Sequence, residues 1–83
     1  MTDGFEDRVK RVVLSTLQIS EDRYSEDLTA GSIPEWDSVA QVGLIMAVEA
    51  EFGLSFDVAD AVDVESVGDL LLLLERYVGD SAR

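Results

Sequence analysis

The sequence predicts an all-α fold, a small helical bundle of three main helices with a short helix before the last and a long first loop. Three observations lead there. Apolar residues recur at helical spacing in three separate stretches, and no stretch alternates as a half-buried strand does. The chain has 83 residues, enough for one domain. Hydrophobic residues make up 47% of it, more than a charged, disordered chain carries. The expected domain spans 1–83, with an ordered core over about 3–78 and a tail over 79–83. A domain of this size buries only about 60–65% of its unfolded surface, so each core side chain matters.

The first helix is expected over about residues 3–17. Phe5, Val9, Val12, Val13 and Leu17 form its apolar stripe, and Glu6, Asp7, Lys10 and Arg11 lie elsewhere. Thr2 or Asp3 supplies an N-cap, and Glu6 and Asp7 suit the positive end of the helix dipole. The next 20 residues, 18–37, hold Gly31 and the chain's one proline, Pro34. A loop of this length is either functional or tied down by its own apolar residues. Leu28 and Ile33 are the expected anchors.

The second helix, expected over about 38–52, starts behind Asp37 as N-cap and stops at Gly53. At about 100° per residue, Leu44, Ile45, Val48 and Phe52 gather on one face with Gln41 among them. Val39, Gly43, Met46 and Ala50 fall within about 60° of one another on the opposite face. An ordinary surface helix places charges there. This face is small and apolar, flanked by Glu49 and Glu51: either the helix is buried on both sides, which is hard to arrange in a domain of three main helices, or the stripe is partly exposed as a partner-docking surface is. Residues 54–65 leave room for a short helix capped by Asp57 and lined by Val58, Ala61 and Val62. The last helix is expected over about 67–78, with Val67, Leu70, Leu71, Leu74 and Tyr77 in one stripe. Ser66 and Asp69 resemble a capping box, and Gly79 is the expected stop. Phe5, Val12, Leu44, Ile45, Val48, Phe52, Leu71 and Leu74 are the expected core.

Composition excludes several chemistries. The chain has no Cys and no His, hence no disulfide, no thiolate nucleophile and no Ser-His pair. Asp+Glu number 18 against 6 Lys+Arg, a formal charge of −12, which argues against nucleic-acid binding. No apolar run approaches a membrane span. The N-terminal stretch is polar and lacks the order of a signal peptide, so a cytoplasmic protein is expected; a monomer is expected as well. Asp57, Asp60, Asp63 and Glu65 lack the spacing and central glycine of a calcium loop, so no metal site is expected. From residue 24 to 75 there are 12 acidic residues and no basic one. Such a surface either keeps the chain soluble or docks on basic partners, where it speeds encounter.

Ser38 is the residue open to chemistry. It stands at a helix start, where free N–H groups and the positive dipole end stabilise an attached anion. With no histidine to activate it, any reaction of Ser38 depends on another protein. Read alone, Asp37-Ser38 is an ordinary cap followed by a tolerated first-turn residue, because the dipeptide is common at helix starts.

The order of these features resembles the acyl carrier protein family. Asp37-Ser38-Val39 is similar to its Asp-Ser-Leu signature. Glu49-Ala50-Glu51-Phe52-Gly53 resembles its Glu-x-Glu-Phe-Gly ending, and Ser66-Val67-Gly68-Asp69-Leu70 resembles the start of its final helix. The likeness covers about residues 5–78. It implies that Ser38 carries 4′-phosphopantetheine, attached by a phosphopantetheinyl transferase from coenzyme A, with Asp37 positioning it. The cargo would then be an acyl or polyketide-type thioester, and the protein a carrier, not an enzyme. It also implies that Val39, Met46, Glu49 and Glu51 on the second helix meet the acyl-loading and acyl-transfer enzymes. Val39 for leucine, Gly43 for an acidic residue, Ala50 within the acidic run and Trp36 before Asp-Ser depart from the fatty-acid carriers. Trp36 looks more like the stand-alone carriers of specialised pathways. Two alternatives are a peptidyl or aminoacyl carrier, and an acidic helical interaction module with no prosthetic group.

Overall fold

The structure, a computed structural model, describes residues 4–81, and of Phe5 and residues 79–81 only the backbone. Among these, α1 (Phe5–Leu17), α2 (Ser38–Phe52), α3 (Val58–Val62) and α4 (Val67–Ser81) follow in order. A 3-10 turn, Glu21–Arg23, interrupts the first loop. No strand forms among the described residues, where a lone antiparallel bridge joins Thr29 to Ser66. No described helix is long and apolar enough to cross a membrane.

The three long helices contribute their stripes to one core. Val9, Val13 and Leu17 come from α1, Leu44, Ile45 and Val48 from α2, and Val67, Leu70, Leu71, Leu73 and Leu74 from α4. The connecting segments add Ile19, Trp36, Phe56 and Val64. Two expected core residues are corrected. Val12 and Phe52 are only partly buried and pack against the core from its edge. The Phe52 ring lies under the Arg8 guanidinium, 4.4 Å from it, so a cation shields the face that apolar neighbours were expected to cover. The expected core residue Phe5 and the caps Thr2 and Asp3 lie outside the described side chains. The N-cap position of α1 falls to Gly4, with no side-chain hydrogen bond.

α1 and α2 both end through left-handed backbone, α2 at the expected Gly53. Gln18 ends α1 at φ 57° and Gly53 ends α2 at φ 65°. Gln18 was not an obvious stop, since the left-handed region favours glycine. The Ile19 N–H reaching Leu14 O at 3.2 Å, with Ile19 buried, makes the turn worthwhile. At the other end of the chain the expected stop fails: α4 continues through Gly79 to Ser81. A glycine permits a helix to end but costs only about 1 kcal/mol within one.

The long loop is tied in two ways. Leu28 and Ile33 pack on the core as expected. Backbone bonds also stitch it to the entry of α4: Ala30 N to Glu65 O, Val67 N to Leu28 O and Gly68 N to Glu26 O, at 2.9–3.0 Å. The Ser66 hydroxyl accepts from Asp69 N at 3.0 Å, and the Asp69 carboxylate accepts from Glu65 N at 3.1 Å. The capping box is therefore present, with its return bond one residue early.

The short helix forms where expected but turns differently. Ala61 packs on the core, whereas Val58 and Val62 are exposed. Asp57 holds the N-cap position without a side-chain cap bond. Its N–H instead donates to the Tyr77 hydroxyl at 3.0 Å, which donates to Asp60 at 2.8 Å. The Asp57 N–H lowers the Tyr77 pKa, but the bond to Asp60, burial and the two nearby carboxylates outweigh it and raise the pKa overall. Phe56 meets the Tyr77 ring edge-on at 4.9 Å, so α3 is pinned to α4.

Candidate functional site

The site is the entry of α2. Asp37 takes extended backbone (φ −97°, ψ −173°), and its Oδ1 accepts from Ala40 N at 2.8 Å. One free amide of the first turn is thereby satisfied, and the helix start is fixed. Ser38 follows as the first helical residue. It is exposed, and no hydrogen bond among the described residues engages its hydroxyl. The first turn carries no acidic residue of its own, so beyond Asp37 nothing in it opposes an anion held on Ser38.

Trp36, two residues earlier, is the feature that sequence reasoning missed. It is 0% exposed, among the most buried side chains in the protein. Its Nε1–H donates to Gln41 Oε1 at 2.6 Å, and Gln41 Nε2 donates to Val64 O at 3.1 Å. Its backbone N–H donates to Ile33 O at 3.2 Å, and its carbonyl accepts from Gly31 N at 2.9 Å. Gly31 has φ 85°, a conformation that only glycine adopts without strain. Arg23 holds the neighbouring Glu35 by two bonds of 2.9 and 3.0 Å. That pairing lowers the Glu35 pKa and raises that of Arg23. The residues preceding Ser38 are thus fixed on several sides, and Ser38 is presented from a rigid base. A large apolar residue at the end of a loop is the available sequence signal for the burial of Trp36.

Beside Ser38 runs a groove of about 350 Å³, lined by Trp36, Asp37, Ser38, Gln41, Val62 and Val64 among others. A larger groove of about 530 Å³, edged by Glu6, Glu26, Asp27, Asp69 and Glu75, does not include Ser38. Ser66 at the start of α4 lines it, but that hydroxyl already accepts from Asp69 N at 3.0 Å, and the described residues contain no cluster suited to a metal ion.

The outer face of α2 is apolar and open, as the helical angles implied. Val39 is 80% exposed and Met46 62%. Val42 belongs with them at 59% exposed, beyond the edge of the predicted stripe. Gly43 is displaced from that face: a Cβ there would meet the Thr16 methyl at 3.9 Å, so it faces α1. The two flanking carboxylates are not free. Glu49 accepts from Phe56 N at 2.8 Å. Glu51 pairs with Arg8 Nε at 2.9 Å, and the same guanidinium donates to the Glu51 carbonyl. The structure brings Asp37 and Ser38 together at one end of α2, and places Glu49 and Glu51 at the other, engaged in holding the fold.

No protein-family model matches the chain. Among curated proteins it is similar to an acyl carrier protein of Thermotoga maritima, at 31% identity over 72 residues, which are 87% of this chain and 89% of that one. It is also similar to the protein named acyl carrier protein 3, chloroplastic, of Cuphea lanceolata, at 33% identity over 73 residues, 88% of this chain and 51% of that one.

Proposed function

The chain belongs to the acyl carrier protein family, and on that footing we propose that Ser38 is the attachment point for 4′-phosphopantetheine. The observation that carries this is an exposed, unengaged hydroxyl at the first position of a capped helix. The residues fit the group. Backbone amides and the helix dipole face an attached phosphate, and the groove beside Ser38 gives the arm room to start. When bound, the group supplies the thiol that this cysteine-free chain lacks, and it carries acyl groups as thioesters.

In loading, Ser38 is a substrate. Its Oγ forms a new O–P bond to the pantetheine-bearing phosphorus of coenzyme A. The pyrophosphate P–O bond breaks, and adenosine 3′,5′-bisphosphate leaves. The hydroxyl proton passes to the transferase, since no histidine of this chain accepts it. Asp37 fixes the start of α2, and Trp36 and Gln41 fix the segment around it, so the hydroxyl is held in one place for the incoming enzyme. Tethering then raises the effective concentration of the cargo at each partner's active site.

Partner enzymes dock on the outer face of α2, through Val39, Val42 and Met46. Glu49 and Glu51 add negative charge from positions they hold for the fold, so basic partners are favoured.

The test is direct. Wild type and Ser38→Ala are incubated with coenzyme A, Mg²⁺ and a broad-specificity phosphopantetheinyl transferase, and intact mass is measured. One phosphopantetheine is expected on wild type alone. A folded wild type that gains none, or a Ser38→Ala protein that gains one, refutes the assignment.

A further inference from the structure

Where the cargo goes after loading is decided by what lies under Ser38. The groove beside Ser38 has Trp36, Gln41 and Val64 in its wall. These three are joined to one another by the bonds from the indole to the carboxamide and from the carboxamide to the Val64 carbonyl. A chain entering the core from this groove would have to part them. The Trp36 ring is fully buried and belongs to the core cluster with Leu44, Val48, Leu70 and Leu74. Moving it would empty a large, well-packed volume and strand an indole N–H and a backbone carbonyl away from water, both penalised in an interior. Outside, by contrast, Val62 lines the groove and is exposed, with Val58 exposed on the same short helix.

We infer that the Trp36–Gln41–Val64 bridge closes the core beneath Ser38, so that the carried group lies along the open groove and not inside the bundle. The inference rests on the carrier reading above. It also sets a cargo class. A carrier of this build gives a long alkyl chain no shelter, so it suits short or polar acyl groups that tolerate water. The bridge makes Trp36 and Gln41 specificity-determining residues of the carrier, in addition to positioning Ser38.

The experiment loads the protein from acetyl-coenzyme A and, separately, from octanoyl-coenzyme A, and confirms each product by intact mass. Thermal midpoint and Trp36 emission are then compared. In wild type the two midpoints should agree within about 1 °C, and the emission maximum should not move with chain length. Withdrawal of the octanoyl chain into the core would bury apolar surface and raise the midpoint by more than about 4 °C over the acetyl form. That gain, or a shifted Trp36 emission, overturns the inference.

Two variants test whether the bridge is the cause. Trp36→Leu shortens the ring and removes the donor; Gln41→Ala removes both bonds and keeps the ring. In at least one of them the octanoyl form should become more stable than the acetyl form. Chain-length independence in both variants overturns the role given to the bridge. Failure of wild type to gain mass in the loading step overturns the carrier reading instead, and the inference with it.

Discussion

The two ends of α2 are built for different purposes. At its start, the residues around Ser38 are held tightly while Ser38 itself is left open: Trp36 is buried and bridged, Asp37 caps, and the Ser38 hydroxyl is unengaged. At its end no polar side chain is left open. Glu49 holds Phe56 N, Glu51 holds Arg8, and Phe52 lies under the same guanidinium. An open hydroxyl on a fixed base suits the loading proposed for Ser38. A terminus whose polar groups are all engaged suits joining α2 to α1 and to the segment before α3. The family motif covers both ends alike, and only the structure separates the role of one from the role of the other.

The largest effect that sharpens this contrast is expected at Trp36. Trp36→Ala removes a fully buried ring and should cost about 3–5 kcal/mol, close to the whole stability of so small a domain. Urea unfolding measures it. A loss below about 1 kcal/mol would mean that the base under Ser38 is not built on this residue.

How much of this was legible in the sequence follows from what each feature depends on. The stripes of α1 and α4 were legible because one side of each helix is apolar and period alone reveals it. Asp37 and Gly53 were legible because caps are local. Trp36 was not, since its burial depends on Gln41 and on Val64, far along the chain and unpatterned with it. Val12 and Phe52 lie on helical stripes, yet their stripes are wider than the core contact, and the edge residues meet Arg8 or solvent. The outer face of α2 was visible from angles, but Gly43 escaped because only the approach of Thr16 shows which neighbour it faces. Glu49 and Glu51 read as a docking rim; their partners Phe56 and Arg8 come from other segments, beyond the reach of any local pattern.

The next pair of substitutions compares the two ends directly. Asp37→Ala removes the cap of α2 and should cost about 1 kcal/mol, within about 0.5–2 kcal/mol. Glu49→Ala leaves Phe56 N without its acceptor and should cost a similar amount, about 0.5–1.5 kcal/mol. The two should part in a second measurement. Assayed well below their unfolding midpoints and in about 0.5 M salt, where docking charges are screened, transferase loading of Ser38 slows in Asp37→Ala and is unchanged in Glu49→Ala. Equal slowing in both would dissolve the distinction between a chemical end and a structural end.

A smaller effect is expected at Glu51. Both partners in its ion pair with Arg8 are partly exposed, and such pairs contribute about 0–1 kcal/mol. Glu51→Gln should therefore lower stability by less than about 1 kcal/mol, and the difference should shrink in salt. A larger, salt-independent loss would place Glu51 in the core architecture and away from the protein's charged surface.

The smallest effect is a pH dependence at the fixed base of Ser38. The Arg23 guanidinium donates twice to the Glu35 carboxylate and holds its pKa below the ordinary glutamate value. Lys10 does the same for Glu21. A carboxylate with a lowered folded pKa binds fewer protons when folded than when unfolded, so its contribution is complete above the unfolded value, about 4.3. It is lost as pH falls through the folded value. Between about pH 7 and pH 5 the pair should leave the thermal midpoint nearly flat. Below about pH 4.3 the midpoint should fall, and Glu35→Gln should remove part of that slope because the amide does not titrate. Glu35 adjoins Trp36, so emission of the chain's one tryptophan reports whether acid loosens this segment before the rest of the domain. An acid profile of Glu35→Gln that runs parallel to wild type would show that the Arg23 pair is not what steadies the approach to Ser38, and the base would then rest on Trp36, Gln41 and Gly31 alone.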